Sequence, residues 1–146
     1  MKIRDIRKSS PVALQTISPD HTVHEAIQIL CRHNIGALPV LDIEGTLVGI
    51  LSERDVLRLC SRDDYQAALK LRVREVMTRD LVISVLDDSL DYVMRVMTER
   101  RVRHLPVLEE HRLVAIVSIG DVVKSQYDEK ETEIRYLRDY MQGALA

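Results

Sequence analysis

The chain carries one sequence pattern twice, and this duplication restricts its fold more than any other feature, because a missed repeat leads to the wrong architecture. Thr22 in the first copy corresponds to Ser89 in the second, an offset of 67 residues (89 minus 22). Four apolar pairs follow at the same offset: Val23 and Leu90, Ala26 and Val93, Ile27 and Met94, Leu30 and Met97. Their i, i+3, i+4, i+7 spacing predicts an amphipathic helix in each copy.

Two short apolar segments follow each predicted helix, residues 35–41 and 47–51 in the first copy and 102–108 and 113–117 in the second. The turns between them predict hairpins. Pro39 and Pro106 are equivalent, and since proline has no N–H, we expect one unpaired backbone position in each strand that a ligand could use. The lead-ins at residues 3–6 and 73–76 also match. Each repeat is thus predicted to run short strand, helix, strand, strand, helix, and the two copies should pack together.

A Ser-x-x-Asp motif stands where the last strand of each copy leads into a helix, as Ser52 with Asp55 and Ser118 with Asp121. One interpretation is structural: the serine accepts an N–H of the first helical turn, and the carboxylate lies at the positive helix end. The other is functional, because a helix N-terminus beyond a strand end is a ready anion site and a carboxylate can accept two ribose hydroxyls. The motif alone leaves both open.

Composition disfavours several classes of function. The net charge is −2 and the chain has no Trp or Phe, so we do not expect nucleic-acid binding. Residues 1–20 contain several charges and no long apolar run, so neither a signal peptide nor a membrane span is expected, and a cytoplasmic location follows. Cys31 and Cys60 lie in apolar helical patterns, which predicts buried free thiols.

Candidate metal and catalytic sites also have simpler explanations. His21 and His24 flank Thr22, but Thr22 and Glu25 have the spacing of a capping box, so we predict a helix start rather than a metal site. No set of serine, histidine and acid has a spacing that indicates a nucleophile, and no phosphate loop, paired catalytic acids or dinucleotide glycine fingerprint occurs. We therefore expect that the chain is not an enzyme.

Together these motifs resemble tandem cystathionine beta-synthase (CBS) domains, the pair called a Bateman module, and in particular small stand-alone bacterial CBS pairs. The resemblance covers nearly the whole chain and is carried by residues 48–55, 103–107 and 117–124. It implies an α+β fold in which two β-α-β-β-α repeats pack about a pseudo-twofold axis. It also implies two clefts, each drawing on both repeats, for adenosine-containing ligands such as AMP, ADP, ATP, NAD(H) or S-adenosylmethionine.

The resemblance implies a role for residues in both copies. Asp55 and Asp121 would hold ribose hydroxyls, and Ser52 and Ser118 would face phosphate. The adenine would meet backbone near two matched segments: Ala37, Leu38 and Pro39, and His104, Leu105 and Pro106. Weaker correspondences at the strand entrances are Thr16, Ile17 and Ile83.

The two copies differ where the ligand is expected. Ala115 stands in place of Gly49, and Gly120 in place of Arg54, so the two clefts should not be equivalent. The cationic or titratable side chains that could gather around phosphates are Arg54, Arg101, Arg103 and His104. For each arginine taken singly, a solvated surface position is the simpler interpretation.

The sequence divides into four predicted units: repeat 1 at residues 1–62, a linker at 63–72, repeat 2 at 73–127 and a C-terminal amphipathic helix at 128–146. Ile134, Leu137 and Met141 share one stripe of that helix, which could cover the core or pair with another subunit. We expect a homodimeric sensor whose nucleotide-bound form is presented to a regulated protein. The alternatives are a ligand-free interaction module, in which the Ser-x-x-Asp motifs are only caps, and, less favoured, a nucleotide-hydrolysing enzyme.

Overall fold

The computed structural model describes residues 1–9 and 13–145, so residues 10–12 of the predicted first repeat and residue 146 of the predicted tail lie outside it. The first half contains α1 (Ile3–Ser9), α2 (Val23–His33), β1 (Ala37–Leu41), β2 (Leu47–Ser52) and α3 (Glu53–Cys60), followed by the short α4 (Tyr65–Ala68). The second half contains α5 (Val73–Val76), β3 (Ser84–Val85), α6 (Leu90–Arg100), β4 (His104–Glu109), β5 (Arg112–Ser118) and α7 (Ile119–Leu145). The predicted mixed α+β fold with two repeats and a C-terminal helix is confirmed.

Equivalent residues begin and end the long helix of each repeat. The hydroxyl of Thr22 accepts from the Glu25 N–H at 3.1 Å, and the hydroxyl of Ser89 accepts from the Tyr92 N–H at 3.1 Å. The predicted helix start at Thr22 is therefore confirmed. Both helices end at a left-handed residue, Asn34 with φ 52° and Arg101 with φ 55°. Since αL backbone closes a helix C-terminus, both repeats turn sharply from helix to strand.

Each repeat forms its own small sheet around an antiparallel hairpin. β1 pairs with β2 and β4 pairs with β5, with Pro39 opposite Ile50 and Pro106 opposite Ile116. β3 joins β4 in parallel, whereas its equivalent in the first repeat is one bridge between Ile17 and Val40. The matched lead-ins at residues 3–6 and 73–76 are helical, in α1 and α5. The short strand of each repeat therefore follows its lead-in helix.

The lead-in helices are exchanged between the two repeats. α1 hydrogen-bonds to the segment before α6, where the Ile3 N–H donates to the Asp88 carbonyl at 3.1 Å and Ile3 is buried in the second repeat's core. α5 does the same in the first repeat, where the Val73 N–H donates to the His21 carbonyl at 2.8 Å and Val73 joins that core. Each core is thus completed by the other half of the chain. The predicted boundaries of the repeats, at residues 62 and 73, divide the sequence and not the packed cores, and they stay a prediction.

The outer edge of the last strand differs between the repeats. Ile50 of β2 exchanges two backbone hydrogen bonds with Thr78, at 3.0 and 2.9 Å. This close approach depends on Gly49, because a Cβ there would lie 2.5 Å from Sδ of Met77 and 3.1 Å from the Thr78 carbonyl oxygen. In the second repeat Ala115 occupies the place of Gly49, and β5 is the edge strand of the described sheet.

The last helix of the second repeat and the predicted tail helix form one continuous helix, α7, of 27 residues. The sequence contains no proline between Asp121 and Leu145, so nothing breaks the helix at residue 127. Val122 anchors its first turn in the core, whereas every residue of 127–143 is exposed.

The prediction that both cysteines are buried was wrong, because Cys31 and Cys60 are free and exposed. The buried stripe of α2 consists of Val23, Ala26 and Leu30. Cys31 follows Leu30 by one residue, which turns its side chain about 100° away from that stripe.

Gly49→Ala should loosen the contact between β2 and residues 77–78, because the added methyl group meets Met77 and the Thr78 carbonyl. We expect amide hydrogen exchange at Thr78 and Ile50 to accelerate by roughly tenfold or more, as local opening becomes easier. The reciprocal Ala115→Gly is the control, and it should leave exchange at these two amides unchanged. Unaltered exchange in Gly49→Ala would show that the glycine is not needed for this approach.

Candidate functional site

A cleft of about 550 Å³ lies between the two repeats. Its first wall is the turn after α2, including Gly36 and Ala37, and its second wall is β5 with the start of α7. Ile3 and Ile6 of the exchanged helix α1 also line it. Four of the predicted site residues meet here: Ala37, His104, Ser118 and Asp121. We call this space the open cleft.

Ser118 and Asp121 form a reciprocal cap at the start of α7. The Asp121 N–H donates to the Ser118 hydroxyl at 3.1 Å, and the Ser118 N–H donates to Oδ2 of Asp121 at 2.9 Å. The structural interpretation of the motif therefore holds here. The cap uses only one carboxylate oxygen, and among the described residues Oδ1 of the exposed Asp121 has no hydrogen-bond partner. Because the cap fixes the carboxylate, Oδ1 is oriented and available to a ligand.

The equivalent carboxylate in the first repeat is already occupied within the chain. Asp55 caps α3 in the same way, with its Oδ2 accepting from the Ser52 N–H at 2.9 Å. Its Oδ1 accepts from the Thr78 hydroxyl at 3.3 Å, and the residue is only 9% exposed. Thr78 thus supplies the hydroxyl that Asp55 accepts, and we call this side the closed cleft.

The backbone of the last strand shows the same contrast. Because proline cannot donate, Pro106 and Ile116 form a non-hydrogen-bonded pair, and the N–H and C=O of Ile116 point away from β4. The equivalent groups of Ile50 bond to Thr78, whereas Ile116 lines the open cleft. Sequence reasoning missed Ile116. The unpaired position was expected at the proline itself, whereas it lies on Ile116 of the facing edge strand, and the predicted pairing of the two strands was the available signal.

His104 stands where the two repeats meet. A Cβ on Gly36 would lie 2.9 Å from Cε1 of His104 and 3.3 Å from Oε1 of Glu53, so the glycine permits this contact. Burial lowers the pKa of His104 below its ordinary value, and the nearby charges of Glu53 and Asp121 oppose that shift only in part. A neutral imidazole offers one donor and one acceptor nitrogen beside the open cleft.

The remaining predicted residues lie elsewhere. Leu38, Pro39, Leu105 and Pro106 are buried, so their side chains belong to the cores. Ile17 is buried and donates its N–H to the Pro39 carbonyl at 3.1 Å, and Thr16 beside it is half-buried. The exposed residues among them are Arg54, Ile83, Arg103 and Gly120.

The four candidate phosphate ligands do not converge on the open cleft, and only His104 lines it. Arg54 instead donates to the Arg101 carbonyl at 3.0 Å, which supports the left-handed end of α6. In residues 1–9 and 13–145, no group of three or more histidine, cysteine or acidic side chains is placed to hold a metal ion. None of the helices in these ranges has both the length and the hydrophobicity needed to cross a membrane.

The sequence model of the CBS domain matches residues 3–62 and 73–128, which is most of the chain and both repeats. The chain belongs to the CBS domain family. It is 36% identical to the CBS domain-containing protein ATU1752 of Agrobacterium tumefaciens. The two structures superpose with a TM-score of 0.82 over 86% of this chain and 99% of ATU1752. This likeness covers both repeats and confirms the predicted resemblance.

Relatives of known sequence include both small and larger proteins. The CBS domain-containing protein YhcV of Bacillus subtilis is 33% identical over 123 residues, 83% of this chain and 84% of YhcV. The mitochondrial protein CBSX3 of Arabidopsis thaliana is 34% identical over 85% of this chain, which spans 62% of CBSX3. Inosine-5'-monophosphate dehydrogenase of Methanocaldococcus jannaschii is 33% identical, but the match spans only 24% of that enzyme. CBS pairs therefore occur within enzymes as well as in small proteins.

One structural neighbour carries ligands. The CBS domain pair of protein MJ0100 was solved in complex with 5'-methylthioadenosine and S-adenosylmethionine, and it is 27% identical with a TM-score of 0.77 over 88% of this chain and 98% of that one. That complex and the family match support a ligand-binding regulatory module.

His104 should make folding stability depend on pH. Its pKa in the folded chain lies below the ordinary 6.5, so the unfolded chain binds the proton first as the pH falls. The wild-type free energy of unfolding should therefore fall between pH 7 and pH 5, and His104→Gln should remove part of that fall. Urea denaturation of both proteins across this range measures the difference. Identical pH profiles would contradict the lowered pKa.

Proposed function

We propose that this CBS pair is a regulatory module that binds one adenosine-containing ligand per chain in the open cleft. The observation that carries the proposal is the contrast at the two Ser-x-x-Asp motifs. Oδ1 of Asp121 has no partner among the described residues, whereas Oδ1 of Asp55 accepts from Thr78.

The closed cleft indicates which chemistry the open cleft would take. The backbone N–H and C=O of Thr78 pair with the C=O and N–H of Ile50 at the strand edge, and the Thr78 hydroxyl donates to Asp55. A ligand that satisfies Ile116 and Asp121 in the same way needs a planar donor–acceptor edge and a neighbouring hydroxyl. Adenine and ribose supply these groups. The apolar walls, including Val114 and Ile35, would cover the faces of the base.

The identity of the ligand depends on its charge. The described lining of the open cleft includes His33 and His104 but no lysine or arginine. We therefore propose that weakly charged adenosine compounds, such as S-adenosylmethionine, bind at least as well as ATP. Among AMP, ADP and NAD(H), affinity should fall as the negative charge of the ligand rises. The complex of the MJ0100 CBS pair with 5'-methylthioadenosine and S-adenosylmethionine supports the binding of such weakly charged compounds.

Signalling requires that the ligand bind one arrangement of the repeats better than another. The open cleft is suited to this because its walls come from both repeats and from α1, which completes the second repeat's core. A ligand that contacts both repeats and α1 would change the free energy of one arrangement of the repeats relative to another. We propose that a regulated protein reads this change, and that the chain is a non-enzymatic cytoplasmic protein. A ligand-free interaction module is the alternative that the caps at Ser52 and Ser118 favour.

We also propose that the working form is a homodimer. The support is the row of exposed apolar side chains on α7, which a monomer leaves in water.

Asp121→Ala should abolish ligand binding while Asp55→Ala should not. Both substitutions remove the carboxylate of a capping box, and Asp55→Ala also removes the hydrogen bond from Thr78, so Asp55→Ala should lose more stability and each variant is compared with its own ligand-free unfolding temperature. S-adenosylmethionine at a hundred times its dissociation constant should stabilise the wild type by about 2.7 kcal/mol, which thermal unfolding detects. We expect this shift to persist in Asp55→Ala and to vanish in Asp121→Ala. Calorimetric titration should give one ligand per wild-type chain.

Three outcomes would oppose the proposal. Loss of the shift in Asp55→Ala alone would place the ligand in the closed cleft. A stoichiometry of two would mean that the ligand displaces Thr78. No shift with any adenosine compound at millimolar concentration would favour the ligand-free interaction module.

A further inference from the structure

The second half of α7 leaves the body of the protein without packing against it. Every residue of 127–143 is exposed, although the same helix is anchored at Val122. An isolated helical segment of this length is marginal in water, because most helical stability in proteins comes from packing an apolar face. The segment therefore needs a partner surface.

The exposed face of this segment repeats every seven residues. Tyr127, Ile134 and Met141 are spaced by seven, and Lys130 and Leu137 lie three residues after the first two of them. Ile134 and Leu137 are 52% and 51% exposed. Apolar residues alternating at three and four positions form the seam of a two-helix coiled coil.

We propose that this seam packs against the α7 seam of a second copy, with the two helices antiparallel. Ile134 then packs against the partner's Leu137, and Lys130 against the partner's Met141. The paired region from residue 130 to residue 141 is about 18 Å long at 1.5 Å per residue. The proposal deepens the homodimer part of the proposed function and does not depend on nucleotide binding.

Charge selects both the occupant and the orientation. The antiparallel pair brings Glu131 beside the partner's Arg138, and by symmetry Arg138 beside the partner's Glu131. A parallel pair in register would also bring Arg138 beside the partner's Glu133, but it would place Lys130 against the partner's Lys130 within the seam, where like charges repel. Lys130 therefore favours the antiparallel orientation. A second copy thus supplies both the apolar seam and the opposite charges.

The first experiment measures the mass of the full chain by sedimentation equilibrium from about 1 to 50 µM. The wild type should form a dimer of 16.8 kDa chains. Ile134→Asp with Leu137→Asp should be monomeric throughout, because charges would enter an apolar seam. Ile43→Asp is the matched control, since Ile43 is fully exposed on the β1–β2 turn and should leave the dimer intact. Urea denaturation of the repeats checks that each variant is folded.

The second experiment tests the orientation by charge reversal. Glu131→Arg alone and Arg138→Glu alone should each raise the dimer dissociation constant by roughly tenfold, because two ion pairs become two like-charge contacts. The double variant restores both opposite-charge pairs and should bind close to wild type. In a parallel dimer Arg138 would face the partner's Glu133, so the double variant would stay weak.

A monomeric wild type at 50 µM would overturn the proposal. So would a dimer that survives Ile134→Asp with Leu137→Asp, or one that is lost in Leu57→Asp alone, which would put the interface on the exposed Leu57 of α3. Failure of the double charge variant would overturn the antiparallel arrangement. Titration of S-adenosylmethionine into the monomeric variant separates this result from the proposed ligand site, because that site should bind with or without the dimer.

Discussion

The exchange of lead-in helices between the two repeats is the constraint on which the rest of the structure depends. α1 completes the core of the second repeat through Ile3, and α5 completes the core of the first through Val73. Neither core is whole without the other half of the chain, so the exchange couples the packing of one repeat to that of the other. The clefts between them exist because of this exchange, and each has a wall that belongs in sequence to the opposite repeat.

The same exchange makes the two clefts different. After α5, residues 77–78 run along the edge of β2 and bond to Ile50, while α1 continues to Ser9 and leaves the edge of β5 facing a cleft. Gly49 permits the close approach in one repeat, and Ala115 carries a methyl group at the matching place. A duplicated sequence thus gives one side that satisfies its own polar groups and one side whose polar groups have no partner among the described residues.

Much of this arrangement could be predicted from the sequence. The repeat offset located both long helices, both hairpins and both Ser-x-x-Asp caps, because these depend on local spacing. It also predicted unequal clefts from Gly49 and Ala115, although not which one closes. Local spacing could not show the exchange of α1 and α5 or the hydrogen bond from Thr78 to Asp55, since these join residues distant in sequence. For the same reason it could not show that Ile116 lines the open cleft. The expected gathering of arginines did not occur at the open cleft, because charge alone does not fix where Arg54 points.

The measurement that tests the account most directly is a backbone amide chemical-shift map of the chain titrated with S-adenosylmethionine. One filled cleft predicts that the large shifts fall on Gly36, Ala37, Ile116 and Asp121, while Ile50, Asp55 and Thr78 keep their positions. Shifts concentrated on Ile50 and Thr78 would contradict it, because the ligand would then have replaced the chain's own segment and the two clefts would not differ as described.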